Sequence, residues 1–228
     1  MAYTLITANR NYSSWSLRPW VLMKALGIDL VDRIEPFTAP ANYEAFRSFS
    51  PTGQVPALLD GDRTLWDSLG ITLYLADRHP GVWPEDEAAR AFAQCAVTEM
   101  HGGFSALRSD CTMNVGVRVR PKTMSAALVR DVARLREIFG EGLSRFGGPW
   151  LAGERFTAID AFFAPIAFRI RTYGLDVGTC QSWVDAVLDH PAMKQWEAEA
   201  LGEVWRERGH EEELAACGEV IADYRTSA

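Results

Sequence analysis

Residues 50–76 read SPTGQVPALLDGDRTLWDSLGITLYLA, and this stretch contains the signals that decide the fold. Residues 55–59 and 64–66 are short apolar runs on either side of an Asp-Gly-Asp turn, which predicts a β-hairpin. Asp67 or Ser68 then caps a helix that continues through the apolar residues behind it. The stretch therefore predicts strand, strand and helix, in that order.

The chain before this hairpin predicts a strand–helix–strand unit. Residues 3–7 (YTLIT) alternate and include β-branched side chains, as a short strand does. Apolar residues recur at helical spacing over residues 15–26, and Gly27 provides a C-cap. A second strand is predicted over residues 30–34, so the first 80 residues are expected to form a small α/β domain.

Strand signals fade after a His-Pro-Gly sequence at residues 79–81, which we interpret as a linker. The rest of the chain carries amphipathic helical patterns, which predict an all-helical domain over residues 86–228. The predicted helical segments span residues 85–107, 125–146, 157–173, 181–188 and 191 to about 205. The expected fold class is therefore an α/β domain over residues 1–80 followed by an all-α domain.

Composition excludes some classes of function. The 228 residues carry 23 basic and 30 acidic side chains, for a net charge of −7, which argues against a nucleic-acid or anionic-membrane surface. No apolar run approaches the roughly 20 residues that span a bilayer, and the first residues lack a secretory pattern. The four cysteines lie far apart and form no Cys-x-x-Cys pair, so we interpret them as reduced thiols. Reduced thiols are typical of a reducing compartment, and we therefore expect a cytoplasmic protein.

Two small hydroxyl side chains, Ser13 and Ser14, stand where the first predicted strand gives way to the first helix. The unpaired N–H groups and the positive dipole end of a helix favour an anion at such a position. A free thiol has a pKa near about 8.5, and this pKa can fall by several units at a helix N-terminus. The pattern fits a site that activates a thiol, and it equally fits a serine that only caps the helix.

Two further segments have the chemistry of a peptide-binding site. If the Val55–Pro56 bond is cis, the backbone of Val55 faces outward and can pair with an extended peptide; otherwise Pro56 only opens a strand. Asp67 can pair with an ammonium group, while Ser68 and the adjacent N–H groups can hold a carboxylate. Asp67 and Ser68 would have the same sequence pattern if they only capped the helix, without binding a ligand.

Together these motifs resemble the glutathione transferase superfamily. Its Ser-x-x-x-Arg opening is matched at residues 14–18, its Val-Pro segment at residues 54–58, and its (Glu/Gln)-Ser-x-x-Ile-x-x-Tyr-Leu helix at residues 67–75. Residues 153–160 are similar to the N-capping motif of the family, which we assign to folding. The resemblance covers essentially the whole chain. It implies a thioredoxin-like N-terminal domain that binds glutathione and a helical domain that forms the second-substrate pocket.

The opening is similar to the serine-type classes, above all the zeta class, whose Ser-Ser-Cys-Ser motif corresponds to residues 13–16 here. The resemblance implies that Ser13 or Ser14 hydrogen-bonds the glutathione thiolate. Counting back from Arg18, zeta-like alignment favours Ser13 and delta-like alignment favours Ser14, and Ser13 is preferred. Trp15 replaces the zeta cysteine, which puts maleylacetoacetate isomerase activity in doubt. Asp67 replaces the commoner Glu or Gln and is one methylene shorter.

The resemblance also implies the remaining contacts with glutathione. The backbone of Val55 pairs with the cysteinyl part, with Gln54 and Pro56 beside it, and Asp67 and Ser68 bind the γ-glutamyl end.

For the second-substrate pocket we expect contributions from one face of the first C-terminal helix, together with a flanking tryptophan. The candidates are Trp15, His101, Phe104 (or Ser105) and Arg108.

Two other groups of polar residues are interpreted as solvent-exposed. Arg118, Arg120 and Lys122 are expected in a solvated loop, and the Glu-x-x-His pair Glu207 and His210 at a solvated helix end. The scattered histidines do not suggest a metal site.

The sequence therefore predicts a glutathione transferase that activates the glutathione thiol for attack on a small hydrophobic electrophile. Glutathione is the expected co-substrate, with no metal, and the resemblance implies a homodimer. Glutathione-dependent isomerisation, disulfide reduction and non-catalytic binding on the same scaffold remain alternatives.

Overall fold

One mixed sheet organises the N-terminal part of the computed structural model, which describes residues 2–38 and 42–227. Its strands are β1 (Tyr3–Thr7), β2 (Leu30–Ile34), β3 (Ala57–Asp60) and β4 (Arg63–Leu65). The order across the sheet is β2-β1-β3-β4, with β1 and β2 parallel and the other neighbours antiparallel. The predicted hairpin is the β3–β4 pair.

Helices α1 (Ser14–Ala25), α2 (Asn42–Arg47) and α3 (Ser68–Ala76) accompany this sheet. Helices α1 and α3 pack against each other, because Leu17, Trp20 and Leu75 present fully buried apolar side chains. Helix α2 lies in a segment for which the sequence patterns predict no helix or strand. The N-terminal part is thioredoxin-like, as predicted.

Strand β3 begins two residues later than the apolar run from Val55 suggests. Pro56 has no N–H to donate to a strand ladder, and regular pairing starts at Ala57, opposite Ile6 of β1. Val55 and Pro56 therefore lie outside the ladder, at the end of the strand.

The C-terminal part that the structure describes is built mainly from helices. They are α4 (Glu87–Gly102), α5 (Ser105–Asp110), α6 (Ala126–Phe146), α7 (Ala158–Tyr173), α8 (Gln181–Asp189), α9 (Pro191–Gly202) and α10 (Arg208–Cys217). The segment predicted as one helix over residues 85–107 is two helices, because the chain turns at Gly103 and at Phe104, whose φ is +58°. No helix among the described residues has the length and apolar composition needed to cross a membrane.

A two-stranded antiparallel ribbon adds to the helices. It consists of β5 (Val117–Pro121) and β6 (Gly218–Asp223). The assignment of Arg118 and Arg120 to a solvated loop is wrong, since both lie in β5. The alternation of β5 buries Val117 and Val119, and its partner strand lies about 100 residues later in the chain, beyond the reach of a local pattern.

Helix α7 is the centre of the helical core and packs directly against α1, the helix that begins at the two candidate serines. Its N-terminus is fixed by Asp160, which is fully buried. The carboxylate accepts hydrogen bonds from the N–H of Thr157 (3.1 Å), the N–H of Leu151 (2.9 Å) and the indole Nε1 of Trp183 (2.9 Å). The predicted capping role of residues 157–160 is confirmed.

Candidate functional site

A tight turn connects β1 to α1 and places the two candidate serines at the start of the helix. The carbonyl of Asn9 accepts hydrogen bonds from the N–H groups of Tyr12 (3.2 Å) and Ser13 (2.9 Å). The first residue of α1 is Ser14, whose N–H is bonded to the carbonyl of Tyr12 at 2.9 Å, so among the described residues the unpaired N–H groups of this helix start are those of Trp15 and Ser16. The helix dipole makes this turn electropositive.

The two hydroxyl groups differ in their hydrogen bonding. Ser13 donates its hydroxyl to Oγ of Ser16 at 2.7 Å. The Ser14 hydroxyl has no hydrogen-bond partner among residues 2–38 and 42–227. Both serines line a cavity of about 390 Å³, a size typical of small-molecule sites.

The segment before β3 supplies a second wall of this cavity, lined by Gln54, Val55 and Pro56. The Val55–Pro56 peptide bond is cis. Within the described chain, neither the N–H nor the C=O of Val55 has a hydrogen-bond partner. Gly53 has a φ of +66°, and a Cβ there would lie 2.6 Å from the Tyr43 ring, so this turn requires glycine.

Asp67 lines the cavity at the start of α3 and is 53% exposed. Its Oδ1 accepts a hydrogen bond from the N–H of Leu69 at 2.9 Å, and its Oδ2 lies 3.2 Å from Nε2 of His101. Asp67 is therefore both a helix cap and an accessible carboxylate. Ser68 is fully buried and its Oγ accepts a long hydrogen bond (3.5 Å) from Arg18, so its contact with a ligand stays a prediction.

The residues predicted for a second-substrate pocket form a layer in which only Trp15 lines the cavity. His101 packs edge-on against Trp15 (5.2 Å between ring centroids), and the Arg108 guanidinium lies 4.8 Å from the Trp15 ring. Phe104 is buried and packs against Phe163 in the helical core. His101 and Arg108 thus support the cavity wall from behind, and Phe104 belongs to the core.

Buried positive charge lies behind Trp15. Arg18 is 1% exposed, stacks on the Trp15 ring at 4.1 Å, and its Nε has no partner in the described part of the chain. Burial above all, then the nearby Arg108 and Arg169, holds the pKa of Arg18 well below its usual value, while Asp67 opposes the shift. This cluster favours an anion in the adjoining cavity.

The same environment acts on His101. Burial lowers the pKa of His101 and is opposed by Asp67, whereas Arg18 and Arg108 lower the pKa further. At neutral pH the ring is therefore mostly uncharged, and Asp67 remains available to a cationic ligand group.

Several lining residues were not found from the sequence. They are Tyr12, Phe37, Asn42, Phe46, Thr52 and His210. The interpretation of Glu207 and His210 as a solvated helix end is wrong: Glu207 is 5% exposed and caps α10, and His210 lines the cavity. Their Glu-x-x-His spacing was the only local signal, and it contains no information about contact with a turn 200 residues earlier.

Tyr12 also lines the cavity, but its hydroxyl already donates a hydrogen bond within the protein. Its Oη donates a hydrogen bond to Glu211 of α10 at 2.6 Å. Burial, followed by this hydrogen bond, raises the pKa of Tyr12 well above its usual value, so the side chain stays a phenol.

Among the residues that the structure describes, no group of three or more His, Cys, Asp or Glu side chains is arranged to hold a metal ion.

Comparison with known proteins places this architecture in one class, a thioredoxin-like domain followed by a helical domain as in glutathione S-transferases. Two family models match: the glutathione S-transferase N-terminal domain over residues 12–78 and the glutathione S-transferase C-terminal domain over residues 122–199. Together the matches cover more than half of the 228 residues. The chain belongs to the glutathione S-transferase superfamily.

Individual relatives are distant. Human (Homo sapiens) glutathione S-transferase theta-1 is 31% identical over 139 residues, which cover 54% of this chain and 57% of that protein. A zeta-class glutathione S-transferase from Euphorbia esula is 25% identical over 136 residues, covering 58% of this chain and 60% of that protein. The chain thus spans about three fifths of the length of these relatives.

A solved structure shares the fold. It is a glutathione transferase homologue from Burkholderia with bound glutathione, similar with a TM-score of 0.67 at 19% identity over 88% of this chain and 98% of that one.

Proposed function

We propose that this protein is a serine-type glutathione transferase that stabilises the thiolate of bound glutathione for attack on a small hydrophobic electrophile. One observation carries the proposal. Serine hydroxyls at a helix N-terminus, an unpaired backbone segment at Val55 and the accessible carboxylate of Asp67 line the same cavity. A γ-glutamyl tripeptide has the complementary groups: a thiol, a peptide backbone and an ammonium.

The tripeptide binds in an extended conformation along Val55. The free N–H and C=O of Val55 pair with the cysteinyl backbone, as in strand addition, with Gln54 and Pro56 on either side. Asp67 pairs with the γ-glutamyl ammonium, and Ser68 at the start of α3 holds its carboxylate.

Ser14 is the hydroxyl that we propose donates to the sulfur. A hydroxyl has one proton, and Ser13 already donates its proton to Ser16. Ser14 has no such partner among the described residues and stands at the first position of α1. The preference for Ser13 from the alignment of motifs stays a prediction, and the two variants below separate the alternatives.

Catalysis follows from electrostatics and proximity. The Ser14 hydroxyl, the N-terminus of α1 and the buried positive charge of Arg18 stabilise the thiolate, and the thiol proton passes to solvent. The sulfur lone pair then forms a bond to the electrophilic carbon, while the leaving group departs with its bonding electrons. Trp15, supported by His101 and Arg108, forms the apolar wall on which the electrophile packs.

Two measurements test this function. Calorimetry is expected to detect glutathione binding, and a panel of aryl halides, maleyl-type diacids and mixed disulfides is expected to give turnover with the aryl halides. The Ser13→Ala/Ser14→Ala double variant is the matched control, since it keeps the cavity and loses both hydroxyls. Failure of the wild-type protein to bind glutathione would overturn the proposal.

Three coarser expectations accompany this function. We propose that residues 1–80 bind glutathione and residues 86–228 complete the second-substrate pocket. We also propose a cytoplasmic homodimer. Sedimentation equilibrium tests the assembly, and a monomer at micromolar concentration would contradict it.

A further inference from the structure

His210 occupies a defined position in the cavity wall although it comes from the C-terminal helix α10. Its imidazole is stacked between the rings of Tyr12 (4.7 Å between centroids) and Phe37 (4.9 Å). These stacking contacts fix the plane of the ring against the turn that leads into α1. The position of the His210 ring is therefore set by tertiary packing.

Glu207 fixes which ring nitrogen faces a ligand. One of its oxygens lies 2.7 Å from Nδ1 of His210, and the carboxylate also accepts hydrogen bonds from the N–H groups of Gly209 and His210. Burial would raise the pKa of Glu207, but these hydrogen bonds outweigh it and lower the pKa. An ionised carboxylate only accepts, so Nδ1 carries a proton and Nε2 is left for the cavity.

The charges around the cavity make His210 distinctive. Among the described lining residues there is no lysine and no arginine, and Asp67 is the acidic side chain. His210 is therefore the lining side chain that becomes cationic on protonation, and in that form it can bind the C-terminal carboxylate of a tripeptide. In the charged form the imidazole donates from both nitrogens, to Glu207 and to a ligand.

The contacts of Asp67 and His210 place them on different sides of the serines. Asp67 contacts His101, which packs on Trp15, whereas His210 packs on Tyr12. Tyr12 and Trp15 flank Ser13 and Ser14 in the chain. A tripeptide that is about 10 Å long when extended has its ammonium at Asp67 and its sulfur at the serines, so its far end points towards His210.

We infer that His210, with its ring protonated, reads the C-terminal glycyl carboxylate of glutathione: Nε2 donates to the carboxylate while Nδ1 donates to Glu207, which orients the ring. The inference rests on the proposed function and assigns a specificity role to a residue of the C-terminal helix. It implies that α10 is part of the tripeptide site and not only a cover over it.

A matched pair of ligands tests the inference. Glutathione and its C-terminal glycine amide differ only in the charge that His210 is proposed to bind. Calorimetry on the wild-type protein is expected to give at least about tenfold tighter binding of glutathione, which corresponds to about 1.4 kcal/mol. In His210→Phe, which keeps an aromatic ring between Tyr12 and Phe37, the two ligands are expected to bind within about twofold of each other.

Two controls complete the design. His101→Phe is expected to change the binding of both ligands by the same factor, because His101 lies at the Asp67 side. His210→Gln keeps a hydrogen-bond donor without the charge, and its preference for glutathione is expected between those of wild type and His210→Phe; it also replaces His210→Phe if that variant does not fold.

The outcomes separate the two proposals. An unchanged preference for glutathione over its amide in both His210 variants would overturn the inference and leave the transferase function standing. Failure of the wild-type protein to bind either ligand would overturn both.

Discussion

The two sides of the cavity are built in different ways. The N-terminal side consists of Ser14, Val55 and Asp67, each set by a backbone feature: a helix start, an unpaired strand end and a helix cap. The C-terminal side consists of α10, whose His210 contacts the serine turn only through tertiary packing. Backbone features have local sequence signals, whereas tertiary contacts do not. Sequence motifs therefore predict the residues of the N-terminal side but not those of the C-terminal side.

A side-chain hydrogen bond and an ion pair connect α10 to the turn before α1 and to the C-terminal segment. Tyr12 donates to Glu211 of α10, and Glu211 forms an ion pair with Arg225, which lies just after β6 (Nη1 to Oε1, 2.6 Å). Arg225 therefore holds Glu211 of α10 in the position where Glu211 accepts the hydrogen bond from Tyr12. Changes on each side are expected to have distinct effects: turnover or glutathione affinity is lost on the N-terminal side, and preference for the glycyl carboxylate or stability is lost on the C-terminal side.

The largest effect is expected from Ser14→Ala. Loss of one donor to a developing or full anion costs about 10²- to 10³-fold in turnover, and kcat/KM should fall by about that factor. Ser13→Ala is the matched control and is expected to lower kcat/KM by less than about threefold, because its hydroxyl is bonded to Ser16. The reverse ranking would move the role to Ser13.

Asp67→Asn is expected to weaken glutathione binding by about tenfold. The asparagine side chain can still accept the hydrogen bond from the N–H of Leu69, so α3 keeps its cap while the charge facing the ammonium is lost. Calorimetry measures the change. Asp86→Asn, at the N-cap of α4 and outside the cavity lining, is the control and should bind as the wild type does.

A stability effect is expected from Arg225→Met. This change leaves Glu211 half-buried without its cation, which costs about 1–3 kcal/mol, or a melting temperature lower by roughly 2–10 °C at pH 7. Thermal unfolding followed by circular dichroism measures the difference.

The pH dependence of that difference follows from the pKa of Glu211. Burial would raise it, but hydrogen bonds from Arg225 and Tyr12 lower it below the ordinary 4.5. A lowered carboxyl pKa contributes stability above the unfolded value, and this contribution is lost as the pH falls through the folded value. The gap between wild type and Arg225→Met should therefore narrow below about pH 4.5. A gap that stays constant down to pH 3 would argue against the ion pair.

The smallest effect on activity is expected from Tyr12→Phe. The Tyr12 hydroxyl is bonded to Glu211 and its raised pKa keeps it a phenol, so kcat/KM should change by less than about twofold. Steady-state kinetics beside Ser14→Ala provides the comparison. A loss as large as that of Ser14→Ala would assign the thiol to the tyrosine.

Most of the fold could be predicted because its signals are local. The hairpin, the strand–helix–strand unit and the long amphipathic helices each have a periodicity or a turn residue. The break at Phe104 was missed because a single residue with positive φ has no pattern around it. The β5–β6 ribbon was missed because its partner strands lie about 100 residues apart.

The lining of the candidate site could be predicted to the same extent and for the same reason. Ser14, Val55 and Asp67 could be found because helix starts and proline-marked strand ends are visible in sequence. His210 could not, since its position in the cavity wall depends on where α10 lies and on the rings of Tyr12 and Phe37. Phe104 was assigned to the substrate pocket from helical spacing, but the turn at Gly103 directs it into the core.

We propose that the N-terminus of α1 and the Ser14 hydroxyl lower the pKa of a bound thiol. The most direct test is a pH titration of thiolate ultraviolet absorbance for glutathione bound to wild type and to Ser14→Ala. We expect a bound-thiol pKa about two units below the free value of about 8.5, and in Ser14→Ala we expect this pKa to return most of the way to the free value. A bound thiol that titrates like free glutathione in the wild-type protein would contradict it.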